Sequence, residues 1–147
     1  MSKNISAHDL RIELQGGNEA GLFKWLLASF LMGKRIQGAI AAKAYQVIIE
    51  QHQLDTPQKL AHCTHRQLVV MLGQAHYVRY DETTASRLLA LASKLNDEYE
   101  GKVSNIAKAS ADLQAFEKRL SEFEGIGPKT IEIFMREASA VLFRSPS

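Results

Sequence analysis

A single cysteine, Cys63, stands in a chain of 147 residues. One thiol cannot close an internal disulfide, and it cannot hold an all-cysteine metal centre or an iron–sulfur cluster. Prolines occur only at positions 57, 128 and 146, and no stretch alternates apolar and polar residues over the length of a strand. Long hydrophobic runs are missing too. The most apolar stretch, residues 22–32, is interrupted by Lys24 and falls well short of bilayer thickness. No basic-then-apolar leader pattern opens the chain, which predicts a cytoplasmic protein with no membrane partner. The formal net charge is only +2.

That small net charge is unevenly spread. Residues 24–80 carry Lys24, Lys34, Arg35, Lys43, Lys59, Arg66 and Arg79 against only Glu50 and Asp55, whereas acidic residues outnumber basic ones from 81 onward. A one-sided basic region suits a polyanionic partner. Ordinary solvated helix faces are the plain alternative.

What remains reads as helix throughout, an all-α compact multi-helix bundle. Residues 19–32 form an apolar helix after Gly16-Gly17, with Trp25 and Phe30 as core residues, and Gly33-Lys34-Arg35 breaks it. Residues 36–52 form a second helix, with Ile36, Ile40, Ala44, Val47 and Ile48 on one face. Thr56 before Pro57, and Thr64 before residues 66–72, are N-caps. Asp81 or Thr83 caps a long helix reaching Tyr99, which Gly101 ends; Ser104 caps a short turn, and Ser110 or Asp112 starts the next helix. Residues 1–18 make a loosely held, partly flexible N-terminal arm, 19–143 the helical domain, and 144–147 a tail.

One local pattern carries chemistry. Leu120-Ser121-Glu122-Phe123-Glu124-Gly125-Ile126-Gly127-Pro128-Lys129-Thr130 runs from an apolar helix into a Gly-Ile-Gly turn, and a new helix begins at once. Glycine admits positive φ without a Cβ penalty, and proline fits a first helical turn, where its missing N–H costs nothing. The unpaired amides of such a turn and helix start form an anion site that a DNA phosphate fits.

This segment resembles the helix-hairpin-helix motif, here at 112–143. Residues 20–143 resemble the endonuclease III-like superfamily of base-excision DNA glycosylases: the apolar helix before Gly33-Lys34-Arg35, the glycine-containing turn from Leu72-Gly73 to Ser86-Arg87, and the hairpin follow in that order. The resemblance implies double-stranded DNA, damaged or abasic, as the partner. It also implies contact with one backbone phosphate through Gly125, Gly127 and the amides of Lys129 and Thr130. Lys129 falls where bifunctional members keep a Schiff-base lysine, and Arg35 near the position of a side chain inserted beside a flipped base. A monovalent cation at the hairpin carbonyls is implied as compatible; no cofactor is required. The family's catalytic aspartate, expected after the hairpin, has no counterpart, since no Asp follows Asp112. Ile131 stands where the family usually has a small residue.

Three functions stay open on the sequence. The leading one is DNA binding without full glycosylase activity. The second is an active repair enzyme: either an abasic-site lyase through Lys129, or a glycosylase drawing on Asp81, Asp112, Glu122 or Glu124. The third is a protein-interaction module, a homodimer or a chain completed by a partner domain. Lys34 and Arg35 are read as phosphate contacts, and Tyr77, Arg79 and Tyr80 as a basic, aromatic loop able to meet DNA, with cover of the core edge as the commoner role of tyrosines in a helix connection. His62-Cys63-Thr64-His65, with His76 at a distance, lacks a second liganding pair and reads as a capped turn, so no metal site is expected.

Overall fold

The computed structural model describes residues 5–143. Among them are eight α-helices and no strand: α1 (Glu19–Met32), α2 (Gly38–Tyr45), α3 (Pro57–Ala61), α4 (His65–Gln74), α5 (Asp81–Tyr99), α6 (Val103–Lys108), α7 (Leu113–Ser121) and α8 (Pro128–Leu142). Short 3-10 turns at His8–Leu10 and Gln15–Gly17 precede them, and α2 widens into a π turn over Gln46–Gln51. The all-α expectation is met. The tail 144–147 lies outside the described residues.

The centre is α1, apolar on nearly every face, with Leu22, Phe23, Trp25, Leu26, Leu27, Phe30 and Leu31 all buried. A helix without a polar face must be covered all round. Accordingly α2, α6 and α8 pack against it, while α5 lies across α3 and α4. The Trp25 indole N–H donates to the Phe134 carbonyl at 3.1 Å, tying α1 to α8. Tyr77 donates its hydroxyl to the Leu31 carbonyl at 3.1 Å, satisfying one of the carbonyls left over at the end of α1.

Local chemistry sets most helix starts. Thr56 accepts the Lys59 amide at 3.1 Å, and Pro57 occupies the first turn of α3. Thr64 and Gln67 exchange side-chain and backbone bonds in a capping box. Asp112 accepts the Ala115 amide at 2.9 Å and starts α7. Gly101, with φ +74, and Glu100, also left-handed, end α5.

Four expectations are corrected. The helix expected over 36–52 starts at Gly38 and changes to the π turn after Tyr45. Neither Asp81 nor Thr83 is the N-cap of α5: Tyr80, left-handed at φ 69, holds that place, and Asp81 is already helical. Ser104 does not cap α6. It lies inside that helix, and its amide and hydroxyl both donate to the Glu19 carboxylate from α1. Residues 5–18 are not loose: Ala7, Leu10, Ile12 and Leu14 are buried in the core, and the Ala7 amide donates to Glu137 of α8 at 2.8 Å.

Candidate nucleic-acid interface

Helices α7 and α8 present buried faces to the core. Phe116 and Leu120 lie on α7, and Thr130, Ile133, Phe134, Met135 and Ala138 on α8. Between them the chain reverses over 122–127, and two apolar residues anchor the reversal. Phe123 is buried and stacks on Tyr99 with ring centroids 6.1 Å apart, and Ile126 is buried between them. The Ile126 amide closes on the Phe123 carbonyl at 3.1 Å.

Gly125 turns the chain at φ +87, a conformation that L side chains rarely adopt. Space is tight as well: a Cβ there would lie 2.6 Å from Arg87 Cδ and 3.1 Å from the Phe30 ring, so the arginine would have to shift. Gly127 differs. Its backbone is extended (φ −112), it is the N-cap of α8 without a side-chain cap, and nothing lies within 4 Å of where its Cβ would be. Gly127 thus leaves open space in front of the helix start.

The first turn of α8 offers the amides of Lys129 and Thr130, since Pro128 has none. The first bond back to the turn is made by Ile131, whose amide donates to the Gly127 carbonyl at 3.1 Å. Among the described residues the amides of Gly127, Lys129 and Thr130 find no hydrogen-bond acceptor. These three residues belong to the lining of a shallow open cleft of about 460 Å³, with Gly33, Lys34 and the rest of 121–130.

Lys34 comes from the break after α1. Its ammonium donates to the Gly125 carbonyl at 3.2 Å and lies 5.1 Å from the centroid of the Phe30 ring. Burial, and then the charge of Arg87, lower its pKa from the ordinary lysine value. Arg87, from the second turn of α5, reaches the underside of the bend, with its Nε 4.0 Å from the exposed Glu124 carboxylate. Three cations, Lys34, Arg87 and Lys129, therefore stand at this bend with two carboxylates, Glu122 and Glu124.

Five of the seven expected site residues, Gly125, Gly127, Lys129, Thr130 and Lys34, line this one cleft. Lys129 is exposed at its mouth, whereas Thr130 is buried, with its side chain against Gly33. Arg35 and Arg79 are exposed but outside the cleft lining, and Arg79 lies over the Tyr80 ring at 5.3 Å. Tyr77 takes the core-covering role and not the DNA-facing one. It is fully buried, while His76, Val78, Arg79 and Tyr80 of that loop are exposed. Sequence reasoning passed over Arg87, because nothing local marks an arginine in mid-helix as belonging to a bend 38 positions later (125 − 87).

Of the bend's carbonyls, that of Gly125 takes the Lys34 ammonium, and those of Phe123 and Gly127 take the Ile126 and Ile131 amides. Among the described residues, no group of three or more His, Cys, Asp or Glu side chains is placed to hold a metal. His65 instead pairs with the Glu82 carbonyl at 2.9 Å, and burial raises the Cys63 thiol pKa. No described helix is long and apolar enough to cross a membrane. Comparison with protein-family models, curated proteins and solved structures gave no match to this chain.

Proposed function

We propose that this protein binds double-stranded DNA through the bend between α7 and α8, acting as a helix-hairpin-helix of the endonuclease III-like type in a glycosylase-like bundle. One observation carries the reading: the amides of Gly127, Lys129 and Thr130 find no acceptor among the described residues, and these residues line one cleft together with Lys34. Amides at a helix start, with its positive dipole end, favour a backbone phosphate oxygen. Gly127 lets that oxygen approach the main chain, and Lys34 and Lys129 supply charge. Arg35 and Arg79 extend the contact along the strand, and Tyr80 offers an exposed ring. A monovalent cation is compatible with the carbonyls but not required, because the Lys34 ammonium already supplies positive charge at Gly125.

Contacts of this kind position a duplex without reading its sequence. Binding then weakens with salt, the logarithm of the affinity falling by about 0.9 per phosphate for each decade of salt. Titration of a labelled duplex across a salt series tests this. A linear negative slope, insensitive to sequence, is expected; absence of binding at low salt overturns the reading and favours the protein-interaction alternative.

A second reading rests on Lys129, which shares the cleft with Glu122 and Glu124. As an amine, Lys129 would add to the open-chain aldehyde of an abasic sugar and lose water to form an imine. Removal of a C2′ proton then expels the 3′ phosphate. Borohydride reduction on abasic duplex traps that imine as a stable adduct. An adduct with the wild type but not with Lys129→Ala supports the lyase; equal adducts, or none, leave simple binding.

A further inference from the structure

We infer that Lys34 is the proton acceptor of the cleft, the base that removes the C2′ proton once Lys129 has formed its imine with an abasic sugar. This rests on the lyase reading above and names a second catalytic residue for it.

Elimination from such an imine needs a group that accepts a proton from carbon, placed in the same cleft as the nucleophile. Lys34 and Lys129 both line that cleft. Local packing brings them there. The Thr130 side chain occupies the space that a Cβ on Gly33 would need. Lys34 and Lys129 are the chain neighbours of these two touching residues, so the seam between the α1 break and the α8 start carries one lysine from each side.

An ordinary lysine is protonated at neutral pH and cannot serve as a base. Lys34 stands in different surroundings. Its nitrogen is partly buried, donates to the Gly125 carbonyl at 3.2 Å and lies 5.1 Å from the centroid of the Phe30 ring. Desolvation, and then the like charge of Arg87 from α5, disfavour the ammonium and lower its pKa. Lysines desolvated in this way are the ones that act as general bases, and such a perturbed group in a cleft marks a functional position. The bond to Gly125 also steadies the nitrogen, because a neutral amine keeps N–H donors beside its lone pair. The other charged groups around it are Arg35 next in the chain, Glu122 and Glu124 of the bend, and Lys129. Both carboxylates are exposed, and Glu124 faces the Arg87 guanidinium at 4.0 Å.

The step needs no further reactant. The Lys34 amine takes the C2′ proton, and the electrons of that C–H bond become the C2′–C3′ double bond. The C3′–O bond breaks, and its electron pair leaves with the phosphate. Water then hydrolyses the imine and frees Lys129, while the Lys34 ammonium returns its proton to solvent through the open cleft.

Abasic duplex is incubated with the wild type, Lys34→Arg and Lys34→Met over a pH series. Borohydride trapping counts the imine and a gel counts broken strands, so cleavage is read per imine formed. Lys34→Arg keeps a cation and a donor for Gly125, but a guanidinium stays protonated; Lys34→Met keeps neither. We expect both variants to lower cleavage per imine by roughly a hundredfold. In the wild type, cleavage per imine should rise with pH below the range where an ordinary lysine titrates, since the neutral amine is the active form. That rise should disappear in both variants. A purely structural Lys34 would be replaced adequately by arginine, so wild-type cleavage per imine in Lys34→Arg overturns the assignment, as does a rise with pH that persists in either variant. No imine with the wild type overturns the lyase reading itself; imine whose cleavage ignores Lys34 overturns this assignment alone.

Discussion

The Lys34 ammonium hydrogen-bonds the Gly125 carbonyl across 3.2 Å, although the two residues lie 91 positions apart. This bond joins the break after α1 to the bend between α7 and α8, tying the first basic loop to the glycine turn. Lys34→Met keeps the stem over the Phe30 ring but removes the donor. A charged hydrogen bond of this kind, half-buried, contributes on the order of 1 kcal/mol. The variant should therefore melt a few degrees lower and bind duplex more weakly, with a shallower salt slope. Differential scanning calorimetry and duplex titration measure both.

Gly125 is held by two independent constraints, its positive φ and the Arg87 stem beneath it. Gly125→Ala must strain the backbone and displace a side chain together. A loss of roughly 1–3 kcal/mol in stability is expected from urea unfolding. A neutral result would mean that the bend is not built as described.

The Trp25 indole and the Phe134 carbonyl make the buried tie between α1 and α8. Trp25→Phe removes the donor and leaves unfilled space in the centre of the core. A cost of about 2 kcal/mol is expected, read from the urea midpoint followed by circular dichroism.

Tyr77 gives a pH-dependent prediction. Burial pushes its hydroxyl pKa up from 10.0 to about 12. The folded state thus holds that proton more tightly than the unfolded state does. The stabilisation is complete below pH 10 and is lost as pH rises from 10 toward 12, a swing on the order of 2 kcal/mol. Tyr45 is shifted upward in the same direction, also mainly by burial. Tyr77→Phe should flatten the alkaline fall in stability, at the cost of the bond to the Leu31 carbonyl. Unfolding followed at several pH values above 9 checks this.

Caps were legible in the sequence where cause and effect lie within three residues. Thr56, Thr64 and Asp112 each accept an amide three positions on; the sequence identifies the two threonines and leaves Asp112 as one of two candidates beside Ser110. Ser104 resembles them, but its hydroxyl goes to Glu19, 85 positions away, and no local pattern signals that. Tyr77 was legible as a residue covering the core edge, but its partner, the Leu31 carbonyl 46 positions away, was not. The N-terminal arm was misjudged because Ala7, Leu10, Ile12 and Leu14 follow no helical period, yet all four are buried. At the bend, sequence marked the glycines, the proline and the basic residues. It missed Arg87, whose relation to Gly125 exists only once α5 packs beside the turn.

The most direct measurement is duplex affinity beside thermal stability for Gly127→Ala. The new methyl group enters open space, and extended backbone accepts alanine, so stability should change by less than about 1 kcal/mol. It would nevertheless stand where a phosphate must approach the amides of Lys129 and Thr130. We predict duplex binding weakened at least several-fold with a nearly unchanged melting temperature; undiminished binding by this variant would contradict docking of DNA on the bend.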